Sequence, residues 1–217
     1  MVPVHVALPA GDRPLASLPA PLPLDALVPG AGPWEVELGF GKGRYLLRRA
    51  TEAPERRFLG VEVVAKYQQL FAARARRRGL ANWLALRGEA LYLLAAVLPA
   101  GFAAVVHVYF PDPWPKERHQ KRRLFDPATV DLVLGLLAPG GTLAFATDFL
   151  EYGERVAAIL AGVPGLTSRR LDAWPEGPRT NYEAKYAAEG RPILRLEATL
   201  AAPAAPLHPE GAAAVLA

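Results

Sequence analysis

No cysteine occurs in the 217 residues, so disulfides and thiolate metal centres are excluded, while a reducing compartment is permitted. A strong charge of one sign is also missing. The formal net charge is +4 and the isoelectric point about 9.5, compatible with an anionic partner but small beside many dedicated nucleic-acid binders. Around His119 there is no second histidine or cysteine at ligand spacing, which predicts no metal. No internal repeat is visible. The N-terminus lacks the basic start, apolar stretch and small-residue cleavage site of a secretory signal, so the cytoplasm is the expected location. An uninterrupted membrane span is lacking as well. Residues 91–110 are nearly all apolar and about as long as the roughly 20 residues a span needs, but Pro99 and Gly101 interrupt them. Those breakers predict a helix end, a tight turn and a buried strand, and no membrane association.

What is present is an alternation of short apolar runs with longer helical stretches. Residues 34–38, 58–62, 83–87, 103–109 and 142–147 read as strands, and 166–171 and 193–200 as two more. Helices are expected to start near Gly43, Ala65, Glu89, Asp126 and Phe149, several ending at Gly79, Pro99 or Pro139. This rhythm predicts an α/β fold, Rossmann-like and doubly wound, with a mostly parallel sheet and helices on both faces. Residues 1–33 are proline-rich and read as an extended or partly ordered lead-in, 34–200 as the domain, and 201–217 as an Ala/Pro-rich tail.

Where the first strand meets the first helix stands Glu37-Leu38-Gly39-Phe40-Gly41-Lys42-Gly43. Glycine suits such a turn because it tolerates positive φ and lets a ligand approach the backbone. About twenty residues on, the second strand ends at Glu62, where doubly wound nucleotide-binding folds set a carboxylate for ribose hydroxyls. A dinucleotide fingerprint wants glycine or alanine where Arg44 stands, which disfavours NAD. The tighter Gly-x-Gly-x-Gly spacing after Glu37 resembles the first motif of S-adenosylmethionine-dependent methyltransferases. Glu37 is either a cofactor ligand or a carboxylate held by helix amides. Glu89, after the third strand, is either a polar group near the adenine or an acid in the next helix's first turn.

After the fourth strand comes Phe110-Pro111-Asp112-Pro113-Trp114-Pro115-Lys116-Glu117-Arg118-His119-Gln120-Lys121-Arg122-Arg123. Parallel sheets gather ligands at the carboxyl ends of their strands, where this loop begins. The prolines restrict φ and so hold Asp112 and Trp114 in a narrow range of positions. Trp114 is read either as a stacking surface for a base or as a wedge fixing the loop. The basic run is either a solvated helix start or a phosphate-binding ridge.

Pro111 to Lys116 followed by Arg118-His119 and Lys121-Arg122-Arg123 resembles the signature of bacterial tRNA (guanine-N7-)-methyltransferases. Ala146-Thr147-Asp148 and Thr180-Asn181-Tyr182-Glu183 are similar to two further motifs of that family, and the likeness extends from about residue 34 to 200. The resemblance implies methyl transfer from S-adenosylmethionine to N7 of a guanine in tRNA, with the variable loop as family precedent. It implies that Glu37, Glu62, Glu89 and Asp112 contact or border the cofactor beside Gly39, Gly41 and Gly43, with Asp112 also catalytic. Lys116, Asp148, Thr180, Asn181, Tyr182 and Glu183 would bind the substrate, and Arg118, His119, Lys121, Arg122 and Arg123 would follow the RNA backbone. Two departures stand out: the lead-in is not basic, and relatives commonly carry Asp or Asn at position 89. An NAD-dependent oxidoreductase, a small-molecule methyltransferase and a noncatalytic RNA-binding module are the competing readings. Monomer and homodimer both stay open.

Overall fold

In the computed structural model of the chain, the described residues are 5–114, 116, 118 and 123–201. Among them nine strands share one sheet: β1 (His5–Leu8), β2 (Gly11–Pro14), β3 (Trp34–Leu38), β4 (Arg57–Glu62), β5 (Trp83–Arg87), β6 (Ala103–Tyr109), β7 (Leu137–Thr147), β8 (Leu166–Leu171) and β9 (Leu194–Leu200). The helices are α1 (Leu24–Leu27), α2 (Arg44–Glu52), α3 (Ala65–Arg77), α4 (Ala90–Ala96), α5 (Val130–Leu134), α6 (Leu150–Ala161) and α7 (Asn181–Ala188). Strand order is β2-β1-β5-β4-β3-β6-β7-β9-β8. The run from β5 through β4, β3 and β6 to β7 is parallel, while both flanks are antiparallel. Chain order reverses between β3 and β6, which opens a crevice at their carboxyl ends.

Side-chain alternation explains why helices cover both faces. In β4, Leu59 and Val61 join a cluster with residues of α4, α5 and α6, whereas Phe58 packs with residues of α2 and α3. Gly60 sits under the second pair of helices: a Cβ there would lie 2.5 Å from Phe40 and 2.6 Å from Leu46. Its absence lets α2 close onto the sheet. The doubly wound α/β architecture expected from the alternation is therefore the one observed.

The differences have local causes. The sheet takes in residues 5–14, within the stretch read as an extended lead-in, as a hairpin whose first strand pairs antiparallel with β5. Val6 and Leu8 alternate into the core, and Pro14 is tolerated because β2 is an edge strand. The helix expected from Asp126 begins at Val130, after a turn in which Ala128 N–H donates to Asp126 Oδ1 at 3.2 Å. That helix ends at Leu134 rather than Pro139, which lies within β7 where the pairing register with β6 shifts. The apolar run 91–110 divides into α4, a turn with Gly101 at φ 67°, and β6. Among the described residues, no helix is long and apolar enough to cross a membrane.

Candidate active site

The glycine loop leaves β3 at the sheet's crevice with three left-handed residues, Gly39, Gly41 and Gly43 at φ 76°, 54° and 68°. Gly43 caps α2, and a Cβ on it would meet the Phe71 ring at 2.6 Å. A Cβ on Gly39 or Gly41 would meet nothing within 4 Å, so the backbone there is open to a ligand. Glu62 fixes the loop from the neighbouring strand end. Its Oε2 accepts from Gly41 N–H at 2.7 Å and its Oε1 from Val64 N–H at 2.9 Å. An ionised carboxylate has about four acceptor positions, so ribose hydroxyls can be added without releasing either amide.

Glu37 is buried beneath the same loop, where its Oε2 accepts from Leu46 N–H at 3.1 Å in the first turn of α2. Burial, reinforced by the Glu62 charge and opposed by the Leu46 amide, pushes its carboxyl up to about 8. Glu89 caps α4, accepting from Tyr92 N–H at 2.8 Å, and is exposed. Both acids thus hold the helix-start geometry that was one of their two readings.

The proline loop leaves the adjacent strand end with its own strain. Phe110 and Trp114 have φ of 52° and 41°, a region that side chains other than glycine rarely enter. Phe110 N–H donates to Ala146 O at 2.7 Å, tying the loop to β7, and Asp112, Lys116 and Arg118 are exposed. Arg123 departs from the expected ridge of backbone-facing cations. It is 2% exposed, donates from Nε to Pro113 O at 2.7 Å, and lies over the Tyr152 ring at 5.0 Å. An arginine so enclosed braces the loop from below and presents nothing to a phosphate. His119, Lys121 and Arg122 lie outside the described residues.

The Thr180–Glu183 motif begins α7, a helix not anticipated from the sequence. Thr180 is its N-cap, accepting from Glu183 N–H at 3.1 Å. The pattern Thr-x-x-Glu is the signal of a capping box and would have announced the helix. Glu183 is fully buried, its Oε2 accepting from Arg179 N–H at 2.8 Å and its Oε1 from Arg195 Nε at 2.7 Å. Expected as a substrate ligand, it faces the protein instead, and so does the Thr180 hydroxyl. Asn181 Oδ1 accepts from Arg44 Nη1 at 2.6 Å, which brings the motif to the glycine loop. Tyr182 is 59% exposed, with its ring 6.3 Å from Phe110 and 6.0 Å from Tyr186. Asp148, one residue beyond β7, lies 3.8 Å from Arg191, whose guanidinium covers the Tyr186 ring at 4.6 Å.

Under these elements runs a buried polar chain that sequence reasoning missed. Arg179 Nη1 donates to the Tyr109 hydroxyl at 2.6 Å, so that hydroxyl donates to His107 Nδ1 at 2.8 Å. His107 is then the Nε2–H tautomer, donating to Glu35 Oε2 at 2.9 Å. Burial holds His107 below its ordinary value, in keeping with a neutral ring. Burial alone would raise Glu35, but hydrogen bonds to His107 and Arg49 hold it at about 2. The available signal was the polar residues at alternate positions of β3 and β6, where a doubly covered strand is ordinarily apolar. Among the described residues, no group of three or more potential ligands is placed to hold a metal.

Comparison with known proteins agrees with this geometry. A family model described as "Putative methyltransferase" matches residues 31–196. A tRNA (guanine-N(7)-)-methyltransferase of Nitrosococcus oceani is 40% identical over 164 residues, covering 74% of this chain and 69% of the relative. One from Leifsonia xyli subsp. xyli is 41% identical over 182 residues, covering 81% and 80%. Among solved structures, the aminoglycoside resistance methyltransferase NpmB1 matches with a TM-score of 0.63 at 19% identity, covering 91% of this chain and 99% of that one. The 16S rRNA methyltransferase KamB has the same TM-score of 0.63 at 15% identity, covering 90% and 99%. At those identities the likeness concerns the fold. With a family model across most of its length and relatives 40% and 41% identical over more than two thirds of both chains, the chain belongs to the tRNA (guanine-N(7)-)-methyltransferase family.

Proposed function

We propose that the chain transfers a methyl group from S-adenosylmethionine to N7 of a guanine in tRNA, in the cytoplasm. What carries the reading is the meeting, at the reversal point between β3 and β6, of an open glycine loop and a braced Pro-Asp-Pro loop. The cofactor supplies an electrophilic methyl on a sulfonium, and the positive charge passes with it to the base. Glu62 accepts from the ribose hydroxyls, Gly39 and Gly41 admit the ligand against the backbone, Glu37 lines the pocket floor, and Glu89 borders the adenine. Guanine N7 carries a free lone pair at neutral pH, so no residue has to remove a proton from it. Orientation therefore dominates. Asp112 accepts hydrogen bonds from the guanine N1 and exocyclic amino groups, aided by Asp148, and their negative charge favours the cationic product.

Glu183 takes a positioning role in this scheme, since Arg179 and Arg195 occupy its two oxygens. Tyr182, with its exposed ring beside Phe110, offers a stacking surface for a base. Lys116 and Arg118, exposed on the loop, approach the RNA backbone, joined by His119, Lys121 and Arg122 of the same basic run. Arg44 at the third glycine position of a dinucleotide fingerprint argues against NAD. The direct test is incubation with labelled S-adenosylmethionine and unmodified tRNA, followed by chemical cleavage at N7-methylguanosine. Label in the RNA and a single cleavage site are expected. Turnover of the cofactor only with small amines would replace this reading.

A further inference from the structure

The cations of the chain fall into two populations. Over much of the surface arginines are matched to carboxylates: Arg155 with Asp126, Arg169 with Glu197 and Arg170 with Glu154. Along α3 and around the glycine loop that matching stops. Among the described residues, Lys42, Arg44, Lys66, Arg74, Arg77 and Arg78 enter no ion pair, and all but Arg74 are exposed. In α3 stand Lys66, Arg74, Arg76 and Arg77 without one acidic residue, and of these Arg76 is matched, to Asp12 on β2.

Helix electrostatics explains half of this at most. Arg74, Arg76 and Arg77 occupy the last turn of α3, where cations complement the helix dipole. Arg44 and Lys66 are the first residue of α2 and the second of α3, where a cation opposes it, and neither first turn holds an acid. Two helices that face one loop therefore share a placement that works against their own stability. A ligand of high negative charge accounts for it. Arg74 Nη1 reaches Lys42 O at 3.4 Å and Arg44 reaches Asn181, so the strip is continuous from α3 over the glycine loop to the start of α7. The 13 residues of α3 extend about 20 Å, enough to follow several phosphates.

We propose that this strip is a second contact surface for tRNA, on the far side of the cofactor loop from Lys116, gripping the phosphate backbone of an arm outside the one that is methylated. The proposal rests on the tRNA reading above. Exposed lysine and arginine on a helix suit backbone contact, which positions the RNA without reading its sequence.

The test is tRNA binding against salt concentration for the full chain and for the triple variant Lys66→Ala, Arg77→Ala, Arg78→Ala. Each phosphate contact contributes about 0.7 to 0.9 to the slope of log affinity on log salt, so the slope should flatten by about two to three. At about 0.15 M salt, affinity should fall on the order of ten- to a hundredfold. Cofactor affinity should stay at the wild-type value, which shows the fold intact. If the alanines disturb folding, Lys66→Gln with Arg77→Gln is read in the same way. Removing two cations from the opposite edge, Arg169→Ala with Arg170→Ala, should leave the slope unchanged. An unaltered slope in the strip variant, or equal flattening by the edge variant, overturns the proposal. Failure of the wild-type chain to bind or methylate tRNA would instead remove the reading on which it rests.

Discussion

The two sides of the crevice are built differently. On the glycine-loop side, Glu37, Glu62 and Glu89 each accept a backbone amide at the start of a helix or turn, so the carboxylates and the loop are fixed before any ligand arrives. On the proline-loop side, Asp112, Lys116 and Tyr182 are exposed, and rigidity comes from below through Arg123 and Ala146. A small cofactor rewards a preformed cradle, whereas a large RNA needs groups it can reach. The same strategy of bracing serves both sides.

The sharpest way to break the first side is Gly43→Ala. Left-handed φ and a contact of 2.6 Å with Phe71 combine there, so stability should fall by about 2 to 5 kcal/mol, read from denaturant unfolding. Gly43→Ala with wild-type stability would remove the claim that packing dictates this glycine. On the other side, Arg123→Met takes away a charged donor to the loop, and transfer should slow about ten- to a hundredfold. The slope of tRNA binding on salt should stay as in wild type, because this arginine does not meet phosphate. A flatter slope would put it back on the RNA surface.

Glu62→Ala should weaken cofactor binding by roughly ten- to a hundredfold by calorimetry, with little change in tRNA affinity. Equal loss of both would blur the division between the sides. Taken per pH unit, the smallest effect concerns Glu37. Its folded-state carboxyl stands at about 8 against an ordinary 4.5, so the folded chain binds the extra proton between those values. Stability supplied by this group is therefore lost as pH rises from about 4.5 to 8, at no more than about 1.4 kcal/mol per pH unit. Glu37→Gln should be less sensitive to pH than wild type in that window, a difference measurable at pH 6 and 7. Glu35, held at about 2 two positions away on β3, has the opposite sign and loses its contribution only as pH falls from 4.5 toward 2.

Much of this was legible in the residues. Strands such as β5 and β7 are legible as short apolar runs because both faces are covered, and the glycine spacing with Glu62 marks the crevice. The N-terminal hairpin was hidden by its prolines, since an edge strand accepts residues that an interior strand rejects. The resemblance implies outward roles for Glu183 and Arg123, and charge alone does not reveal direction. Their burial depends on partners distant in sequence, Arg195 for the one and the ring of Tyr152 for the other. The chain Arg179–Tyr109–His107–Glu35 was invisible for the same reason, joining residues up to 72 positions apart within a single bond.

Methyl transfer by Asp112→Asn, in a single turnover with cofactor and tRNA both saturating, tests the central claim most directly. A carboxylate that orients guanine and favours its cationic product predicts a rate lower by on the order of a hundredfold or more with both ligands still saturating. Transfer at the wild-type rate would contradict it.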